Sequence, residues 1–253
     1  MREKLYTIPL NDAVAANDEC PFCFMERKLE QDLLDFVLGN SSSYMESDVR
    51  EEMDQTGFCR SHFKKMFDYG NTLGNAWILK THYEKTINQL EQQIKEYKPV
   101  KMGFFDKKRI FAERVNAIGR WTEQQEHSCY ICNRFNQEFP RYMDTFLILY
   151  QTDDIFKHKV LNGNGFCLVH FGDLCEYAEL HLKEKQKSDF FLPMFQMMKE
   201  NMNRLQEDIN WMIEKFDYRN KDADWKNSKD AIQRGMQKLK GGYPADPIYQ
   251  RKK

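Results

Sequence analysis

Six cysteines and two histidines recur in this chain as one spaced set, and no other feature limits its fold as tightly. Cys20 and Cys23 open the first copy, and Cys59 and His62 close it in the spacing C-x2-C-x35-C-x2-H. The second copy, Cys129, Cys132, Cys167 and His170, has the spacing C-x2-C-x34-C-x2-H. Gly57, Phe58 and Phe63 of the first copy fall on Gly165, Phe166 and Phe171 of the second. A register kept to within one residue over this length reads as a duplication. It divides the chain into a first unit at 1–98, a linker at 99–108, a second unit at 109–217 and a tail at 218–253.

The residue types point to metal. A reducing compartment keeps thiols free unless they bind metal or do redox chemistry, so seven cysteines without a secretory leader argue against a disulfide framework. Zinc takes four ligands in a tetrahedron, and three cysteines with one histidine are a usual structural set. In CxxC the chain turns back so that both sulfurs reach one ion; in CxxH at a helix start the two ligands share a face. The expectation is two zinc ions per chain, one clamped within each unit, with crossing of half-sites between the units left open. Four protein ligands close the coordination sphere, which favours a structural ion over a catalytic one. Three thiolates and an imidazole leave each site a formal charge of −1, which Arg60 and Lys64 could soften in the first copy. Backbone N–H groups would have to do so in the second, where Leu168 and Val169 are apolar. A redox dithiol needs only CxxC and does not explain why a CxxH travels with it.

The hydrophobic pattern reads as helical throughout, with little of the alternation that marks strands. Helices are expected at 24–38 and 133–150, a short one in SYMESDVREEMDQTG ending at Gly57, and one opening at each GFCxxH. A long helix closes each unit. In the second, Phe191, Phe195, Met198, Met202, Leu205, Ile209, Met212 and Phe216 form an apolar seam, and in the first Tyr83, Ile87, Leu90, Ile94 and Tyr97 form a shorter one. The fold class is all-α, with these long helices packed on each other as a bundle; a homodimer through the same seams is the alternative. The tail suits a solvated or loosely docked terminus with a short amphipathic helix around Ile232, Met236 and Leu239.

Outside the set the residues offer little chemistry. Cys175 has no counterpart and reads as a buried free thiol. His127 reads as exposed or capping, and His82, His158 and His181 as surface or packed side chains. There is no phosphate loop, nucleophile elbow or HExxH, so an enzyme assignment has no residues to stand on. A net charge of −1 disfavours nucleic acid, and the lack of a long apolar run disfavours a membrane span, which gives a cytoplasmic reading.

The motifs CPFC, GFCRSH, CYIC and GFCLVH, with KFDYRNKDADWKNSKDAIQRGMQKLKG, resemble an uncharacterised bacterial family known only as a domain of unknown function. The resemblance covers most of the chain and implies a bacterial, cytoplasmic, helical protein with no established activity. The residues favour a non-enzymatic zinc-stabilised scaffold or adaptor with a protein partner. The alternative is a thiol-based redox protein or zinc-release sensor working through Cys20 and Cys23 or Cys129 and Cys132.

Overall fold

The structure is a computed structural model that describes residues 2–40, 43–99 and 114–244. From residue 100 on, the expected linker lies outside the described residues, and so do 245–253 of the tail. Among the described residues there are eleven α-helices and no strand. They are α1 (Arg2–Ala15), α2 (Pro21–Leu38), α3 (Ser47–Thr56), α4 (Arg60–Tyr69), α5 (Thr72–Glu96), α6 (Ala117–His127), α7 (Tyr130–Thr152), α8 (Asp154–Leu161), α9 (Leu168–His181), α10 (Glu184–Glu214) and α11 (Ala231–Lys240). None is long and apolar enough to cross a membrane.

The compact units do not follow the order of the motif copies. One, the split unit, is built from both parts of the chain, Met1–Leu29 and Glu138–Pro247; the other, the central unit, is Glu30–Gln137. Among the described residues the two boundaries fall inside helices, α2 and α7.

The split unit packs around Phe22, Phe146, Phe156 and Phe166, all fully buried, with Leu10 of α1, Leu174 of α9 and Met194 of α10. The buried stripe on α10 is Phe190, Met194, Met197, Met198, Asn201 and Leu205; it keeps Met198 and Leu205 of the expected seam and corrects the rest. Two neighbouring apolar rows run along this helix; the earlier one turns inward, while Phe195 is half exposed and Phe216 lies beyond the helix end.

The short amphipathic helix expected around Ile232, Met236 and Leu239 is α11, and its apolar row faces outward. Ile232, Met236 and Leu239 are exposed, whereas Ala231, Gly235, Gln237 and Lys238 are buried. The helix docks through charge. Glu19, only 2% exposed, receives Arg204 at 2.7 Å, Lys238 at 2.9 Å and Arg234 at 3.1 Å. Lys238 Nζ also donates to the backbone carbonyls of Glu19 and Asn164, each at 2.6 Å. Burial would raise the Glu19 carboxyl, but the Arg204 hydrogen bond and the charge of Lys238 hold it below its usual range. Removing one partner of a buried ion cluster leaves uncompensated charge and costs about 3–5 kcal/mol. Glu19→Leu should therefore lower the unfolding free energy by about that much in a urea titration.

The central unit packs Leu34, Val37 and Leu38 of α2 with Met53 of α3, Met66 and Tyr69 of α4, Ile78 of α5 and Tyr130 and Ile131 of α7. Here too the expected seam is corrected: of α5 only Gly74 and Ile78 are buried, and Tyr83, Ile87, Leu90, Ile94 and Tyr97 are exposed. The buried positions of α5 and α10 each pack within their own unit.

Candidate metal centres

All four half-sites sit at helix N-termini. Both CxxC motifs run into their helices three residues earlier than the expected starts, because Pro21 and Tyr130 are already helical. Proline suits that first position, where its fixed φ fits and its missing N–H would have no helical partner. Cys20 Sγ accepts the Cys23 N–H at 3.4 Å and so acts as a cap. Cys59 and Cys167 are the N-cap residues of α4 and α9, as the GFCxxH motifs predicted, and Cys167 Sγ accepts the His170 N–H at 3.4 Å. A helix N-terminus carries partial positive charge and favours a thiolate beside it.

The preceding glycines make the entry. Gly57 ends α3 with φ +60°, and Gly165 has φ +80°, the left-handed region that side chains avoid. A Cβ on Gly57 would stand 2.8 Å from the His82 ring, whose Nδ1 donates to the Asp54 carbonyl at 3.1 Å. His82 is therefore a packing residue.

The eight candidate ligands fall into two groups. Cys20, Cys23, Cys167 and His170 meet in the split unit, and Cys59, His62, Cys129 and Cys132 in the central unit, the ligand atoms of each within 4.8 Å of one another. This corrects the expectation of a set closed within each motif copy. Each CxxC meets the CxxH of the other copy.

Aromatic packing accounts for the pairing. Phe22, inside the first CxxC, lies 5.4 Å from Phe166 and 5.3 Å from Phe146. Tyr130, inside the second, packs 6.2 Å from Phe58 and donates its backbone N–H to the Gly57 carbonyl at 2.9 Å.

The distances fit a tetrahedral ion. Metal–sulfur bonds of about 2.3 Å and metal–nitrogen bonds of about 2.0 Å place ligand sulfurs about 3.8 Å apart and sulfur about 3.5 Å from nitrogen. In the split unit Cys23 and Cys167 sulfurs are 3.7 Å apart, and Cys20, Cys23 and Cys167 lie 3.5, 3.4 and 3.3 Å from His170 Nδ1. In the central unit Cys59 and Cys132 sulfurs are 3.9 Å apart, and Cys59, Cys129 and Cys132 lie 3.2, 3.3 and 3.4 Å from His62 Nδ1. A disulfide would need about 2.05 Å. Both groups present four convergent donors of a kind that holds a divalent metal ion.

The sites differ in cover. All four ligands are buried in the split unit, where His170 stacks on Phe139 at 5.4 Å; Cys59 and Cys132 are half-buried in the central unit. Ser61 Oγ lies 3.1 Å from Cys59 Sγ. Charge softening runs differently from the expectation in the first copy: Lys64 pairs with Asp68, and the neighbouring Lys65 pairs with Glu30. In the second copy the backbone N–H of His170 supplies it, as expected.

Protons fill both groups when metal is absent. Burial opposes charge on His170, but hydrogen bonds with Cys167, Cys20 and Glu26 hold its pKa up at about 12, and Cys167 is held well below the usual thiol value. Burial likewise opposes charge on His62, yet Cys129 and Glu30 raise it to about 10; Cys129 falls to about 6 against burial through its hydrogen bond with His62. Burial and then the charge of Cys129 push Cys132 up to about 12. A metal entering either group displaces these protons, so its affinity falls as pH falls.

Sequence reasoning missed Ser61, Glu26 and Glu30. His170 Nε2 faces Glu26 Oε1 at 3.0 Å and His62 Nε2 faces Glu30 Oε1 at 2.9 Å. A signal was present: glutamates three and seven residues after Cys23 share its face of α2. The remaining candidates stay outside both groups. Cys175 is half-buried, with its thiol pushed up by burial, His127 ends α6 exposed, His158 is exposed, and His181 stacks on Tyr177.

No curated protein and no solved structure matches this chain. One protein-family profile does, over residues 1–246, a span that takes in both ligand groups and α11. The chain belongs to DUF6062, a family of unknown function.

Proposed function

We propose that the protein is a non-enzymatic helical scaffold or adaptor in which one zinc ion clamps each compact unit. The observation that carries this reading is the ligand geometry. Each group supplies four protein donors at tetrahedral spacing, which completes the preferred coordination of zinc and leaves no position for an activated water. Three soft thiolates favour zinc over magnesium or calcium, which take oxygen. The adaptor part is supported by the exposed row Tyr83, Ile87, Leu90 and Ile94 on α5, with Tyr97 just past its end, since apolar rows at helical spacing are a common way to engage a protein partner.

Elemental mass spectrometry of protein purified without added metal tests the reading, together with a count of thiols that alkylate in the native state. The expected result is two zinc ions per chain with protected cysteines. Protein that carries no metal, with freely reactive or disulfide-linked CxxC pairs, would overturn it.

A second reading, zinc release on thiol oxidation, is favoured by the half-buried edge of the central site. One thiolate, Cys59 or Cys132, attacks a peroxide oxygen and breaks the O–O bond, giving a sulfenic acid and hydroxide. The other thiolate then displaces the sulfenic hydroxyl to form a disulfide, and the metal leaves. Under this reading mild peroxide releases one zinc per chain and joins Cys59 to Cys132, whereas a purely structural pair of sites keeps both ions.

A further inference from the structure

We infer that Glu26 and Glu30 are the positioning residues of the two metal centres, each selecting which nitrogen of its histidine meets the metal. The inference rests on the zinc reading above and extends it to two residues outside the ligand sets.

The argument starts from the proton count of imidazole. A neutral ring carries one N–H, and the nitrogen that binds metal must be the bare one. In both histidines Nδ1 is the atom that faces the three sulfurs, at 3.3–3.5 Å for His170 and 3.2–3.4 Å for His62. The proton therefore belongs on Nε2, and on that side each ring meets a carboxylate oxygen, Glu26 at 3.0 Å and Glu30 at 2.9 Å. A carboxylate can only accept, so it stabilises the tautomer that leaves Nδ1 free and holds the ring in plane with the site. It also feeds negative charge toward the ligating nitrogen and strengthens it as a donor.

The placement is built into α2. Both glutamates come from this helix, four residues apart, and each lies in the same compact unit as the histidine it meets. The two pairs differ in cover: the Glu26 side chain is 34% exposed, while its histidine is 5% exposed. His170 sits between Phe22 at 5.8 Å and Phe139 at 5.4 Å, so the aromatic walls fix its tilt while Glu26 fixes its rotation. The side chain of Glu30 is 16% exposed and is shared between His62 and Lys65. Each glutamate acts through the histidine it meets.

The experiment compares metal retention in the full-length protein and its Glu26→Gln, Glu26→Ala, Glu30→Gln and Glu30→Ala variants. Zinc is competed away with a chelator of known affinity, and the cysteines that alkylate as each ion leaves are identified by mass spectrometry. Loss of such a carboxylate is expected to weaken metal binding by about 10–100-fold. Glu26 variants should expose Cys20, Cys23 and Cys167 early, and Glu30 variants Cys59, Cys129 and Cys132. Glutamine keeps an acceptor at the same reach and should lose less than alanine. Cobalt-substituted variants should keep the visible bands of tetrahedral thiolate coordination while losing the ion faster, a readout that a general loss of stability would not confine to one site.

Wild-type retention in all four variants would overturn the inference, and so would equal weakening of both sites by any one of them. Wild-type protein that binds no zinc at all fails earlier, at the metal reading itself, and is recognised before any variant is measured.

Discussion

Chelation of both metal ions should abolish most of the helical circular dichroism signal near physiological temperature, and returning zinc should restore it. The reason is one of scale. Structural zinc contributes on the order of 10–16 kcal/mol in finger peptides, and whole domains are stable by only about 5–15 kcal/mol. The ligands are also part of the cores: Cys20, Cys23 and Cys167 belong to the apolar cluster of the split unit, and Cys129 to that of the central unit. Without metal these cores must bury a thiolate beside a protonated imidazole, whose charges the enclosed site desolvates. The measurement is a thermal melt with and without chelator on protein first shown to contain zinc. An unchanged melt after complete metal removal would mean that side-chain packing suffices and the ions do something other than hold the fold.

Paired ligand substitutions should give opposite metal counts depending on which ligands are paired. Cys20→Ser together with His170→Ala damages one site twice and should leave one zinc per chain. Cys20→Ser together with His62→Ala damages both sites and should leave none. A scaffold in which each motif copy held its own ion would reverse these results. The difference is a whole equivalent in an elemental analysis, and it depends on the crossed grouping of Cys20 and Cys23 with Cys167 and His170. Each site retains three donors after a single substitution, so the counts are best taken after dialysis against a weak chelator.

The ligand set was legible in the sequence because metal chemistry acts locally on spacing. CxxC and CxxH fix which residues can share an ion within a few bonds, and helix signals such as Gly57 fixed where α3 stops. The choice of partner half-site was not legible, since it depends on which aromatic side chains pack together far along the chain. Phe22 with Phe166 and Tyr130 with Phe58 decide it, and nothing in their spacing shows this. The inward face of α11 was hidden for a different reason. Amphipathic pattern assumes that apolar residues turn inward, and here Lys238 is buried because Glu19 and two backbone carbonyls satisfy it. On α10 two adjacent apolar rows compete, and periodicity alone could not rank them. Glu26 and Glu30 were overlooked because acidic residues on a helix usually face water.

The crossed grouping has a consequence for how the chain is made. Cys59 and Cys132 are 73 positions apart, whereas Cys23 and Cys167 are 144 apart and enclose them, so the two clamps nest like one pair of brackets within another. A ribosome releases the amino end first, at about 5–20 residues per second. The inner set is complete as soon as Cys132 emerges, while Cys20 and Cys23 must wait, without their partners, on the order of seconds more until Cys167 and His170 follow. Doubling the length of a closed loop adds only about 0.6 kcal/mol to its entropy cost. The waiting time, more than the loop entropy, therefore sets the hazard: during synthesis the first CxxC is a bare thiol pair open to capture by a passing metal or oxidant.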